Sequence, residues 1–357
     1  MKASKYNMFW NLENGDTLAF NGISCALAKI DDDFMNTLKN ISHIDYDTLT
    51  GTDKDLVDNM LLGNYIYSND FDEIKALKFR NISGKFDDDC LSLTIAPTFS
   101  CNLDCTYCHK STYGSSMNKN IQVSIINLVS EESKRKKDIH IRWIGGEPLL
   151  AKSIILSMSE KIISACRKNN SCYHASMVTN GYLLNDETIA QLKAAKIDSV
   201  QITLDGPPDI HNSRRPAKEG SCNTFDKILS NIIKLKEHFF AVNLRMNTDN
   251  TSLDYIEEFL DILSQYNLKD IPVNFSSAVG IKKACISAAR ACMSPSEHSA
   301  ENLKYQQMLF QKGFNAAIFN NTTEFYPSII KNSCSADNTG TFILDPEGYM
   351  YRCLRDM

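Results

Sequence analysis

Between Leu91 and Ser277 the hydrophobic pattern switches repeatedly between two periods. Short apolar runs occur at Leu91 to Ile95, Ile139 to Ile144, Ala175 to Thr179, Ser199 to Leu204, Val242 to Met246 and Pro272 to Ser276. The stretches Ile121 to Lys137, Ser153 to Arg167, Asp186 to Ala195, Phe225 to His238 and Tyr255 to Tyr266 lie between them and read as amphipathic helices. Six strands alternating with helices predict an α/β fold of parallel β/α units joined by right-handed crossovers. No dinucleotide fingerprint or phosphate-binding loop follows any of these strands.

On either side of this region the rhythm is different. Residues 1–88 read as a small separate α+β domain. Tyr6 to Leu12 and Thr17 to Asn21 form its hairpin around Glu13-Asn14-Gly15-Asp16, and helices follow at Asp32 to Ile41 and Asp53 to Leu62. The acidic run Phe86-Asp87-Asp88-Asp89 reads as a solvated linker into the main domain, 89–285. A helical connector, 286–333, carries a long helix over Ser296 to Phe319. The last segment, 334–357, contains a hairpin over Phe342 to Tyr351 that turns at Asp345-Pro346-Glu347-Gly348.

Composition narrows the function. A chain of 357 residues can bury a large core, and a net charge of -5 offers no attraction for nucleic acid or an anionic membrane. No run approaches the roughly 18 apolar residues of a spanning helix, and Met1 to Gly15 lacks a charged-then-apolar leader, so the expected location is cytoplasmic. Twelve cysteines in a reducing compartment point to metal or redox work rather than disulfides. The basic run Lys134-Arg135-Lys136-Lys137 reads as the solvated end of a helix, where its charge complements the helix dipole.

The chemistry centres on Cys101, Cys105 and Cys108, which follow the first strand at C-x3-C-x2-C spacing. Loops this short strain a disulfide but let thiols converge on a metal or an iron–sulfur cluster. A tetrahedral zinc needs a fourth ligand, and His109 is the only local one. Three unrelated core thiols are the remaining alternative. Cys25, Cys90, Cys166, Cys172 and Cys222 show no ligand spacing, and Cys285 and Cys292 read as structural.

The triad with Tyr107 before its last cysteine resembles the signature of the radical S-adenosylmethionine (SAM) enzymes. That resemblance implies a partial (β/α)6 barrel with its active site at the C-terminal strand ends. It also implies a [4Fe-4S] cluster whose open iron chelates SAM and cleaves it to a deoxyadenosyl radical. Gly145-Gly146-Glu147 after the second strand looks like the family's GGE motif, which accepts hydrogen bonds from the SAM ammonium. Val178-Thr179-Asn180-Gly181-Tyr182-Leu183-Leu184 resembles the TNG segment, in which Asn180 is read as starting a turn. Thr203 and Arg215 match the positions that bind the SAM carboxylate, while Asn212 stands where relatives carry aspartate. Tyr107, Gly145, Gly146, Glu147, Thr203 and Arg215 are thus the implied cofactor contacts. Arg245 and Asn247 alternate with apolar neighbours and share one strand face, for which a barrel-mouth role and a structural ion pair both stand.

Cys334 and Cys353 flank the C-terminal hairpin and resemble the opening of a SPASM or twitch extension, which holds auxiliary iron–sulfur clusters. Relatives continue with further cysteines, so this chain reads as cut short there, and an auxiliary cluster would need ligands from elsewhere. The N-terminal domain resembles the leader-peptide-binding extension of enzymes that modify ribosomally made peptides, with a folding cap on the barrel as the alternative. The resemblance therefore implies a peptide or protein substrate, hydrogen abstraction leading for example to a thioether crosslink, and a reductant such as flavodoxin or ferredoxin. A sulfatase maturase oxidising Cys or Ser, and a non-catalytic metal- or peptide-binding scaffold, are the alternatives.

Overall fold

The computed structural model describes residues 1–108, 114–220, 223–238, 241–277, 293–314, 329 and 334–357. These form two compact units, Met1–Phe86 with the described residues of 321–338, and Asp87–Asn320 with Thr339–Met357.

In the first unit, β1 (Lys2–Ala3) pairs with β5 (Ile66–Tyr67). β2 (Asn7–Asn11), β3 (Thr17–Asn21) and β4 (Leu27–Ile30) make an antiparallel sheet with β3 in the middle. Helices α1 (Asp32–Asn40), α2 (Gly51–Leu62) and α3 (Glu73–Lys85) complete the unit. Asp31 and Asp72 cap α1 and α3 by accepting from Phe34 and Lys75 N–H groups. Phe34, Leu38, Ile41, Val57, Met60 and Ile66 form the core. Buried Asn21 organises the polar side, donating to Ser4, Asn7 and the Asn64 carbonyl while accepting from Ile23 and Ser24. Neither β4 nor α3 is visible in the hydrophobic pattern. On α3, Ile74, Phe79 and Ile82 are exposed and no apolar stripe forms.

The second unit is built on six sequential parallel strands: β6 (Cys90–Ile95), β7 (Asp138–Trp143), β8 (Cys172–Thr179), β9 (Ile197–Thr203), β10 (Ala241–Thr248) and β11 (Val273–Ser277). Helices α4 (Lys119–Glu132), α5 (Lys152–Lys168), α6 (Asp186–Ala194), α7 (Pro208–Arg214), α8 (Thr224–Glu237) and α9 (Ile256–Gln265) lie between strands in the sequence. Asn118, Asn185 and Asn223 cap α4, α6 and α8, each accepting from a first-turn N–H. Helix α10 (Pro295–Gln311) opens with a capping box of Ser294 and Glu297. The helix expected over Ser296 to Phe319 starts one residue earlier and ends at Gln311, capped by Lys312, and Cys222, Cys285 and Cys292 lie outside the described residues.

The first three of these strands alternate strictly. On β7, Ile139, Ile141 and Trp143 are buried while His140 and Arg142 are exposed. A parallel strand covered on both faces reads as a continuous apolar run, so this alternation means that helices cover only one face. The other face is polar and open, as in a partial barrel.

Two expectations are corrected. Helix α4 ends at Glu132, so the basic run lies beyond it and ahead of β7. Parallel pairing sets the starts of β6 and β7 side by side, and Arg135 and Lys137 reach Asp88 and Asp89 at 3.0 and 2.7 Å, while buried Lys136 also pairs with Asp88. The acidic run is therefore the counter-charge of the basic one and not only a solvated linker. The C-terminal hairpin, β12 (Thr341–Leu344) and β13 (Met350–Tyr351), extends the barrel sheet, with β12 parallel to β6. Buried Asp345 holds its turn by accepting from the Tyr349 N–H and the Tyr351 hydroxyl, each at 2.8 Å.

Burial pushes the Cys166 thiol up to about 11 and the Tyr173 phenol up to about 12. Both values exceed those of an unfolded chain, so above about pH 9 the folded state binds more protons than the unfolded one. Stability should accordingly fall as pH rises from about 9 towards 12, by up to about 1.4 kcal/mol per pH unit per group. Urea titrations of the reduced protein across that window should show the slope, and Tyr173→Phe should flatten it.

Candidate active site

The loop after β6 carries the three thiols and is gripped on both sides through its backbone. On one side Gly146 donates to Thr98 O (3.1 Å) and Glu147 to Ser100 O (2.8 Å). A Cβ on Gly145 would lie 2.4 Å from Thr98 O, and one on Gly146 would lie 2.3 Å from the carbonyl oxygens of Phe99 and Ser100. Gly145 also has φ +153°. The paired glycines thus let the cysteine loop approach. On the other side Asp104 donates to Pro216 O (2.8 Å) and Thr106 to Arg214 O (2.9 Å), and Leu103 bridges to Ala217.

Beneath this loop lies a buried polar knot. The Tyr107 hydroxyl donates to Asp205 and accepts from Arg215 Nη1 (2.6 Å) and Asn247 Nδ2 (3.1 Å). Asp205, fully buried, also accepts from the Asn247 N–H at 2.8 Å and lies 3.8 Å from the Arg215 guanidinium. Four segments meet here: the cysteine loop and the ends of β9, α7 and β10. Burial opposes the charge on Arg215, but Tyr107, Cys105 and Asp205 outweigh it and raise its pKa. Arg215 Nε is a buried donor with no hydrogen-bond partner among the described residues. His211 is held neutral by burial and by Arg215, and its Nδ1 accepts from the Asp205 N–H at 3.1 Å.

Glu147 is fully buried, and its carboxylate accepts from Leu149 N–H (3.0 Å), the Thr179 hydroxyl (2.7 Å) and Asn180 N–H (2.7 Å). Burial pushes its pKa up despite these donors. Asn180 starts the turn by accepting from Tyr182 N–H, as expected, and also donates to Asn102 (2.8 Å) and to Cys101 Sγ (3.8 Å). Thr203 is buried at the end of β9, level with Arg245 on β10.

The match to known proteins falls on this region. The Radical SAM superfamily model covers residues 95–263. This part of the chain is a radical SAM domain. An uncharacterized protein of Methanocaldococcus jannaschii is 30% identical over 182 residues, 50% of this chain and 60% of the relative. A probable GTP 3',8-cyclase of that organism is 34% identical over 122 residues, 34% of this chain and 38% of the relative. The cysteine-type anaerobic sulfatase-maturating enzyme of Clostridium perfringens (strain 13) is 34% identical over 149 residues, 39% of each chain. The chain therefore spans less than two thirds of the length of these curated relatives. Native anSMEcpe with bound AdoMet superposes with TM-score 0.56 at 22% identity over 74% of each chain. Streptococcus suis SuiB bound to S-adenosylmethionine superposes with TM-score 0.53 at 13% identity, over 99% of this chain and 83% of that one. At such identities the likeness is one of fold.

The family implies a [4Fe-4S] cluster and SAM, and the residues present fit both. Cys101, Cys105 and Cys108 are free and lie close enough to perturb one another electrostatically. Cys101 Sγ accepts from Leu103 N–H at 3.5 Å as well as from Asn180, the kind of support that cluster sulfurs receive. Burial pushes the Cys105 thiol up to about 12, so loading a metal there must release a proton. The unpartnered Arg215 Nε offers a donor suited to a carboxylate such as that of SAM.

Not every expected residue points the expected way. Tyr107 and Glu147 spend their polar atoms on the chain and act here by positioning the loop and the strand ends. Asn212 accepts from Thr224 N–H and Phe225 N–H at 2.9 Å, and the Thr224 hydroxyl in turn donates to Arg215 O at 2.9 Å. The amide oxygen thus supplies support that needs no charge. Cys334 is exposed in the first unit, Cys353 is half-buried in the second, and His109 lies outside the described residues. Asp205 was missed by sequence reasoning, although a carboxylate next to a glycine at a strand end was a visible signal.

Tyr107→Phe removes the shared hydroxyl and should lower stability by about 1–3 kcal/mol in urea unfolding. Gly146→Ala forces the cysteine loop away and should cut the iron retained after anaerobic reconstitution to below about half, read by iron and sulfide assay.

Proposed function

We propose that the protein is a radical SAM peptide maturase that uses its three-cysteine cluster to abstract hydrogen from a peptide substrate. Edge strand β2 carries the peptide part of this reading. Among the described residues β2 pairs only with β3, and it exposes Met8, Phe9 and Trp10 in a row. A free edge with apolar side chains suits an extended peptide, which would add as a further strand. The fold likeness to SuiB, whose structure has also been solved bound to precursor peptide SuiA, supports the same reading. When bound, the cluster would supply the electron that cleaves SAM, and this chain's residues would hold the thiols, bind a carboxylate at Arg215 and exclude water. A thioether crosslink is the outcome we favour. Cys334 and Cys353 would take part in an auxiliary cluster only with further ligands, and flavodoxin or ferredoxin would serve as reductant.

A second reading, oxidation of a Cys or Ser in a sulfatase, is favoured by the 34% identity to the anaerobic sulfatase-maturating enzyme. The two readings separate in one experiment. With dithionite and SAM, the wild type should release deoxyadenosine, and Cys105→Ala should lose at least about 100-fold. Short peptides encoded beside the gene should then lose mass in a crosslink under the first reading, whereas a sulfatase peptide should gain formylglycine under the second. Trp10→Ala should weaken binding of such a precursor about tenfold, roughly 1.4 kcal/mol, while leaving SAM cleavage unchanged.

A further inference from the structure

A second set of donors lies at the opposite ends of the same strands. Register aligns Cys90 with Asp138 and Asp138 with Cys172, and one step on it aligns Ser92 with His140 and His140 with His174. Register partners in a sheet share a face, as do residues two apart on one strand. Cys90, Asp138, His140, Cys172 and His174 therefore all occupy the open polar face, opposite the buried Ile139 and Ile141.

Three of them have converged. One ligand atom each of Asp138, His140 and His174 lies within 4.8 Å of the others. His174 Nε2 is 3.2 Å from Asp138 Oδ1, and the two imidazoles stack with ring centroids 4.5 Å apart and planes inclined by 22°. Ligand atoms around one zinc ion are about 3.3 Å apart, a change that small side-chain rotations supply. Two imidazoles, a carboxylate and flanking thiols form a borderline-soft donor set, the kind that selects zinc over magnesium or calcium. His140, His174 and Cys172 are exposed, while Asp138 and Cys90 are half-buried, so an ion can reach them. The site lies roughly 15 Å from the cysteine loop along the strands and shares no residue with it.

We propose that this face binds one divalent transition-metal ion, Zn2+ fitting best, through Asp138, His140 and His174, with a thiol of Cys90 or Cys172 closing the coordination. Bound there, the ion would tie together the starts of three neighbouring strands. It would also explain cysteines whose separation along the chain suggests no ligand motif. Asp138-x-His140 and Cys172-x-His174 are the local signals that the sequence carries.

The test uses protein already loaded with its iron–sulfur cluster, so that Cys101, Cys105 and Cys108 are occupied. After equilibrium dialysis at about 1 μM free Zn2+, the wild type should retain about one zinc per chain beyond its iron. His174→Ala, His140→Ala and the double variant Cys90→Ser/Cys172→Ser should each bind at least about tenfold more weakly with iron content unchanged. Zinc X-ray absorption should show a sulfur near 2.3 Å beside lighter ligands. No zinc retained by the wild type, or zinc retained unchanged in His174→Ala, would overturn the proposal, and a shell without sulfur would overturn the thiol closure. Because these side chains lie on an open face, unchanged iron content and circular dichroism serve as the folding control.

Discussion

The close approach of two backbones at Gly145–Gly146 is the constraint on which the site depends. The cysteine loop cannot hold three thiols together by itself, because a loop with so few internal hydrogen bonds would lose too much conformational entropy on ordering. It is ordered because the carbonyls of Thr98, Phe99 and Ser100 lie flat against a segment that carries no side chains, while residues 103–106 are pinned to 214–217. Tyr107 then anchors the loop to the barrel through Asp205, Arg215 and Asn247. The grips come from the ends of β7, β9, α7 and β10, so the barrel must be assembled before the thiols are correctly spaced.

Alternation along the strands, strict on β6, β7 and β8, explains how one sheet serves both core and site. Apolar residues at every second position secure the helices, and this leaves the other positions free to carry polar groups towards an open face. At the C-terminal ends those positions are Thr203 and Asn247, and at the N-terminal ends they are Asp138 and His174. A sheet buried on both faces would have had no room for either set.

Much of this was legible in the sequence, for physical reasons. The six barrel strands were visible because burial of one face enforces a period of two, and the triad because cluster ligation demands close thiols. Gly145-Gly146-Glu147 was visible as a motif, but its first role, packing against the cysteine loop, was not. The Tyr107–Asp205–Arg215–Asn247 knot was not legible as a unit, since its members come from four segments and meet only in the folded domain. The pairing of Asp88 with the basic run depends in the same way on strands lying side by side. Helix α3 escaped notice because its apolar residues form no stripe, so no period marks it.

Strand β12 pairs in parallel with β6, and its Thr341 lies opposite Ser92, roughly 250 residues earlier in the chain. Such a contact carries a high loop-closure cost and belongs to the slow part of folding. At a synthesis rate of about 5–20 residues per second, the outer edge of β6 waits more than about ten seconds for its neighbour. The strand that introduces the cysteine loop thus keeps its outer edge open while the rest of the barrel is made. In a cell, this makes delivery of iron and sulfide a question of timing, because the nascent loop can meet its metal before the sheet edge beside it has closed.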